Sequence, residues 1–151
     1  MAEPSLQPPH VGGYIIEEFT AGDSYRWRYR RYTPSDAARA QLVCIHGIQS
    51  HGGWYEGSCR WLCERGFAVS FLDRRGAGLN AQSRGDAPGF RRLLDDLAEF
   101  VRTVRQTPPT PVFLMAISWG GKLATALQRR HPGLIDGLVL LCPGFFYAVR
   151  P

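Results

Sequence analysis

Apolar and polar positions change period along this chain, and the changes mark its elements. Residues 14–19 and 24–32 alternate with a period of two around the turn signal Ala21-Gly22-Asp23, which predicts a β-hairpin. Residues 40–45 form a short apolar run, as a buried strand does. Residues 54–64 can form a helix, weakened by Gly57 and closed by Gly66, and a second apolar strand follows over 67–72. Next comes the clearest helical pattern in the chain. Phe90, Leu93, Leu94, Leu97, Val101 and Val104 recur at three- and four-residue spacing, while Arg91, Arg92, Asp95, Glu99 and Arg102 take the outer face. The proline-rich stretch 107–111 stops that helix. A strand over 112–117, a helix over 122–130 closed by His131-Pro132-Gly133, and an apolar run over 138–142 complete the chain.

After the hairpin, strands and amphipathic helices alternate. This predicts an α/β fold: a doubly wound, mostly parallel sheet with an N-terminal antiparallel hairpin. In such sheets ligands bind beyond the carboxyl ends of the strands. His46-Gly47, Asp73-Arg74, Ser118 and Pro143-Gly144 fall at those ends and are predicted to converge. The continuous apolar character of residues 138–142 predicts a strand buried on both faces, with a neighbour on each side.

The strand over 112–117 ends in Ser118 and breaks at once into Trp119-Gly120-Gly121. A strand-to-helix turn this abrupt needs small residues two before and two after the serine, and Ala116 and Gly120 stand there. The turn predicts an exposed hydroxyl at a helix N-terminus, where free N–H groups and the helix dipole favour developing negative charge.

Bulk properties narrow the class. A chain of 151 residues suits one domain. The net charge of +5 is almost wholly arginine, since Lys122 is the only lysine. In residues 25–31 the aromatics Tyr25, Trp27 and Tyr29 alternate with Arg26, Arg28 and Arg30, which reads as a half-buried strand with a solvated arginine face. No nucleic-acid partner is expected. No apolar run reaches transmembrane length, and residues 1–12, with Pro4, Pro8 and Pro9, read as a flexible leader without a signal-peptide pattern. A cytoplasmic location is therefore expected. Cys44, Cys59, Cys63 and Cys142 lack zinc-ligand spacing and read as buried free thiols. Gly76-Ala77-Gly78 lacks the third glycine of a dinucleotide loop. No metal or organic cofactor is implied.

Three segments, each after a predicted strand, together resemble the α/β-hydrolase superfamily, and within it the monoacylglycerol lipase, lysophospholipase and serine-aminopeptidase-like hydrolases. His46-Gly47-Ile48-Gln49-Ser50-His51 is similar to the family's H-G-x-x-x-H loop. Residues 73–80 are similar to its D-x-R-G-x-G-x-S segment, with Asn80 where serine is usual, and Ala116-Ile117-Ser118-Trp119-Gly120 matches its nucleophile elbow. The resemblance implies that Ser118 is the acyl nucleophile and that the backbone N–H groups of Ile48 and Trp119 form the oxyanion hole. Gly47 would let the loop approach the substrate, His46 would support it, and Asp73 would fix its own loop. The implied substrate is a small-molecule acyl ester or lipid.

The relay is incomplete. In this fold the acid and then the histidine follow the serine in the chain. After Ser118 stand only Asp136 and His131, both expected at the opposite end of the sheet; His10, His46 and His51 precede it. Residues 13–151 are therefore expected to be the N-terminal part of a single α/β-hydrolase domain, with the cap and last two strands absent and little activity of its own. The alternative is a non-catalytic α/β-hydrolase-like module for binding or assembly. Oligomeric state is not legible.

Overall fold

The computed structural model describes residues 13–105 and 110–145. The leader predicted over residues 1–12 lies outside that span. The elements run β1 (Ile15–Thr20), β2 (Arg26–Tyr32), β3 (Ala40–Ile45), a single 3-10 turn (Gly52–Tyr55) leading into α1 (Glu56–Cys63), β4 (Phe67–Leu72), α2 (Phe90–Arg105), β5 (Val112–Ile117), α3 (Gly120–Arg130) and β6 (Gly137–Leu141). The strands form one sheet in the order β1-β2-β4-β3-β5-β6. The hairpin β1-β2 joins the rest through an antiparallel β2-β4 pair, and β4, β3, β5 and β6 run parallel.

Helices cover both faces, as the alternation requires. On β3, Val43 and Ile45 point into a cluster with Leu93, Leu94, Leu97, Val101, Leu123 and Leu127 of α2 and α3. Leu42 and Cys44 point the other way, joining Tyr32, Val69, Phe71 and Cys59 of α1. Every residue of β3 is thus buried, because the strand has a neighbour on each edge and helices on both faces. The chain crosses from β3 to β4 on one side and later to β5 on the other. The strand order therefore reverses at β3, and the crevice such a reversal opens lies above its carboxyl end.

Four expectations need correction. Arg30 is not on a solvated face: it is 7% exposed, because α1 covers that end of β2 while Arg26 and Arg28 stay exposed. Phe90, read as a core position of α2, is 47% exposed at the first turn of that helix. Only Cys44 and Cys59 are buried; Cys63 is partly exposed and Cys142 exposed. The last strand is only partly buried, since β6 pairs with β5 and its outer edge pairs with no described residue. Among the described residues, no helix is long and apolar enough to cross a membrane.

Candidate active site

β5 carries Ser118 to the crest of the sheet, and the turn there is held in a conformation that serine seldom adopts. Its φ is +52°, in the left-handed region that costs a non-glycine residue roughly 1–2 kcal/mol. Backbone bonds hold it there. Ser118 N–H donates to Leu141 O at the end of β6 (2.9 Å), and Ser118 O accepts from Gly121 N–H and Gly144 N–H (3.0 Å each). Gln49 (+54°) and Cys142 (+46°), in the loops after β3 and β6, share this backbone region.

The small residues are there for a measurable reason. A Cβ on Gly120 would lie 2.8 Å from His46 O and 3.3 Å from Ile45 O, so α3 can begin this close to β3 only without a side chain. A Cβ on Gly47 would lie 3.0 Å from Ser118 Cβ and 3.4 Å from its Oγ. The loop after β3 is therefore packed directly on the serine. Ala116, two residues before it, is fully buried.

Two backbone N–H groups lie in the segments next to Ser118. Trp119 caps the N-terminus of α3, an eleven-residue helix, and Ile48 follows Gly47 in the adjoining loop. Among the described residues, no partner takes the N–H of Ile48 or of Trp119. Ile48 and Trp119 also wall a cavity of about 460 Å³, together with Gln49, Arg74, Ala77 and Leu93.

The supporting loop is fixed by His46 and Asp73. His46 is fully buried; its Nδ1 pairs with Gly47 O (2.7 Å) and its Nε2 accepts from Arg74 N–H (3.0 Å). That pattern is complete only for the neutral ring with its proton on Nδ1. Burial, helped by the nearby Arg74 charge, lowers its pKa to about 4. Asp73, also fully buried, accepts from Gly52 N–H, Leu79 N–H and the Arg30 guanidinium. It thus ties the loop after β3, its own loop and β2 together. Asn80 extends the same tie: its amide donates to Asp73 O (2.6 Å), and its Oδ1 accepts from Arg28 N–H. A second network escaped the sequence pattern. Asp96, fully buried on α2, accepts a bidentate pair from Arg75 (2.6 and 2.8 Å) and a further bond from Arg92 (2.7 Å).

No described side chain hydrogen-bonds Ser118 Oγ. Asp136 accepts from Val112 N–H and pairs with Arg105 at the start of β5, and His131 lies against Arg102. The six residues of β5 separate them from Ser118 by roughly 20 Å. His51 accepts from Gly53 N–H and lies against the Trp54 ring. His10 lies outside the described residues. Among the described residues, no group of histidine, cysteine and carboxylate side chains could hold a metal ion.

A six-stranded mixed sheet with helices on both faces, and a serine at a strained strand-to-helix turn, define an α/β-hydrolase scaffold. The family model described as serine aminopeptidase S33 matches residues 36–151, and the chain belongs to that hydrolase family. It is 30% identical to lysophospholipase L2 of Escherichia coli (strain K12), over 88% of this chain and 41% of that protein. It is 33% identical to the monoglyceride lipase of Homo sapiens, over 94% of this chain and 47% of that protein. Among solved structures, a soluble variant of monoglyceride lipase from Saccharomyces cerevisiae superposes with a TM-score of 0.76 at 20% identity, covering 93% of this chain and 48% of that one. The chain spans less than half the length of these relatives.

Proposed function

We propose that this chain carries the nucleophile and the oxyanion site of a serine hydrolase acting on carboxylic esters of the lysophospholipid or monoacylglycerol kind. One observation supports this above the others: Ser118 sits at φ +52° against Gly47, and the N–H groups of the next residue, Trp119, and of Ile48, next to Gly47, are used by no described residue. In the reaction, Ser118 Oγ attacks the acyl carbon while a base takes its proton. The carbonyl oxygen becomes an oxyanion and accepts from Ile48 N–H and Trp119 N–H. The alcohol leaves with a proton, and water then hydrolyses the acyl-enzyme. Each amide donor of this kind is worth on the order of 3 kcal/mol in the transition state.

Among the described residues, no base and no orienting carboxylate reaches Ser118. His131 and Asp136 are too far from Ser118, and His46 and His51 are engaged elsewhere. Because the relatives are more than twice as long and the outer edge of β6 is unpaired among the described residues, we assign both groups to chain beyond residue 151. The 151 residues alone then turn over ester slowly or not at all. The same lack of a base favours a second reading, a module of this fold used for binding without catalysis.

A fluorophosphonate probe separates the two. The full-length protein should be labelled on the peptide containing Ser118, and Ser118→Ala should not. Equal labelling of both removes Ser118 from the mechanism.

A further inference from the structure

Arg74 occupies the position that the D-x-R-G pattern leaves open, and the resemblance gives it no role. Its contacts are specific. Nη2 donates to Gly47 O at 2.7 Å, and the guanidinium carbon lies 4.7 Å from the centre of the Trp119 ring. One side chain therefore touches Trp119, whose N–H follows Ser118 in the chain, and the carbonyl of Gly47, which shares a peptide with Ile48 N–H.

The contact with Gly47 bears on Ile48 through the peptide plane. In a trans peptide the C=O of one residue and the N–H of the next point in opposite directions. Gly47 O takes Arg74 Nη2 on one lone pair and His46 Nδ1 on the other, 2.7 Å each. Pinning that carbonyl fixes the direction of Ile48 N–H. Without it, a peptide beginning at glycine is free to rotate. Arg74 reinforces the arrangement a second time, since its own N–H donates to His46 Nε2 and so holds the imidazole in the tautomer that serves Gly47.

Its charge is also unusual here. Arg30 meets Asp73 and Glu56, Arg75 meets Asp96 and Asp23, and Arg92 meets Asp96 and Glu99. Among the described residues, no carboxylate is hydrogen-bonded to Arg74, and its Nε is buried without a partner. Burial lowers its pKa, so the cation is held at a cost that its surroundings do not fully offset. The buried carboxylate of Asp73, the preceding residue, offsets part of that cost, although it is already paired with Arg30; Asp86 is exposed on the wall of the same cavity. A positive charge that is only partly offset, beside a developing oxyanion, is stabilising where water is excluded.

We propose that Arg74 is the positioning residue of the oxyanion site, aligning Ile48 N–H through the Gly47 carbonyl and holding Trp119 by stacking on its ring. The inference rests on Ser118 as nucleophile, and the experiment separates the two. In the full-length protein, kcat and KM for a neutral short-chain ester, and the rate of fluorophosphonate labelling, are measured for wild type, Arg74→Met and Arg74→Lys. Arg74→Met should lower kcat and the labelling rate roughly 10–100-fold, less than the loss of a whole donor, with KM held within about twofold. Arg74→Lys should fall between, since an ammonium can reach the carbonyl but cannot lie flat on the indole. An unchanged kcat in Arg74→Met, or a rise in KM alone, overturns the role of Arg74 while Ser118 still labels. Failure of the wild type to label at Ser118 defeats the nucleophile reading instead. Should Arg74→Met fail to fold, Arg74→Lys decides: wild-type kcat in that variant contradicts the inference.

Discussion

Replacing glycine by alanine at two helical positions tests the packing of the elbow, because the same methyl group should act with opposite sign. At Gly120 the added Cβ would sit 2.8 Å from His46 O and 3.3 Å from Ile45 O. Both neighbours are main-chain carbonyls at the end of β3, and neither can swing aside as a side chain would. Overpacking of this kind costs about 1–3 kcal/mol. The better helix propensity of alanine returns about 1 kcal/mol, leaving a net loss of up to about 2 kcal/mol. At Gly57, on α1, a Cβ meets nothing within 4 Å. There only the propensity term acts, a gain of roughly 0.5–1 kcal/mol. For a domain of this size the expected shifts in Tm are a fall of up to roughly 8 °C for Gly120→Ala and a rise of roughly 1–4 °C for Gly57→Ala. Thermal unfolding followed by circular dichroism reads both. Gly120→Ala should also slow labelling of Ser118, since relief of the clash moves the His46-Gly47 segment. A Gly120→Ala protein at least as stable as wild type would refute the claim that close approach of α3 to β3 requires glycine there.

Three other outcomes follow from the same geometry. Ser118→Gly should be more stable than Ser118→Ala by about 1 kcal/mol in urea denaturation, because only glycine relieves the positive φ; equal stabilities would mean the turn is unstrained. Asp96→Ala should cost about 3–5 kcal/mol in the same assay, since it leaves Arg75 and Arg92 without their buried carboxylate; a loss under 1 kcal/mol would show that Asp23 and Glu99 suffice. Stability should also fall with acid through His46. Its folded pKa of about 4 lies below the ordinary value near 6.5, so its contribution is complete above pH 6.5 and lost as pH drops through 4. Unfolding midpoints measured from pH 7 to 4 should decline less steeply in His46→Gln than in wild type, and parallel slopes would exclude His46 as the cause.

Much of the scaffold was readable in the sequence because periodicity reports how a segment is buried. The five apolar residues among the six of β3 suit a strand buried on both faces, the three- and four-residue spacing of α2 suits an amphipathic helix, and both segments adopt those forms. Ser118, Ala116 and Gly120 were readable because a turn that tight admits few residue types. What periodicity cannot say is which element covers a face. Arg30 lies on the polar side of β2 by alternation, yet it meets Asp73, 43 residues away, beneath α1. Asp96 lies among apolar positions of α2, and only the loop bearing Arg75 explains it. Arg74 shows the same limit at the site: its two contacts, with Gly47 and Trp119, join segments whose adjacency exists only after the sheet has formed. The expectation for β6 erred for a related reason. An apolar run signals a strand suited to burial, and how far it is buried depends on neighbours that the run does not contain.

The account depends on Ser118 becoming covalently acylated. Intact-protein and peptide mass spectrometry of the full-length protein, quenched early in its reaction with a chromogenic acyl ester, tests this directly. A mass increase of one acyl group on the peptide containing Ser118, missing in Ser118→Ala, is the predicted result. Ester turnover that persists in Ser118→Ala, or an acyl group carried by another residue, would contradict it.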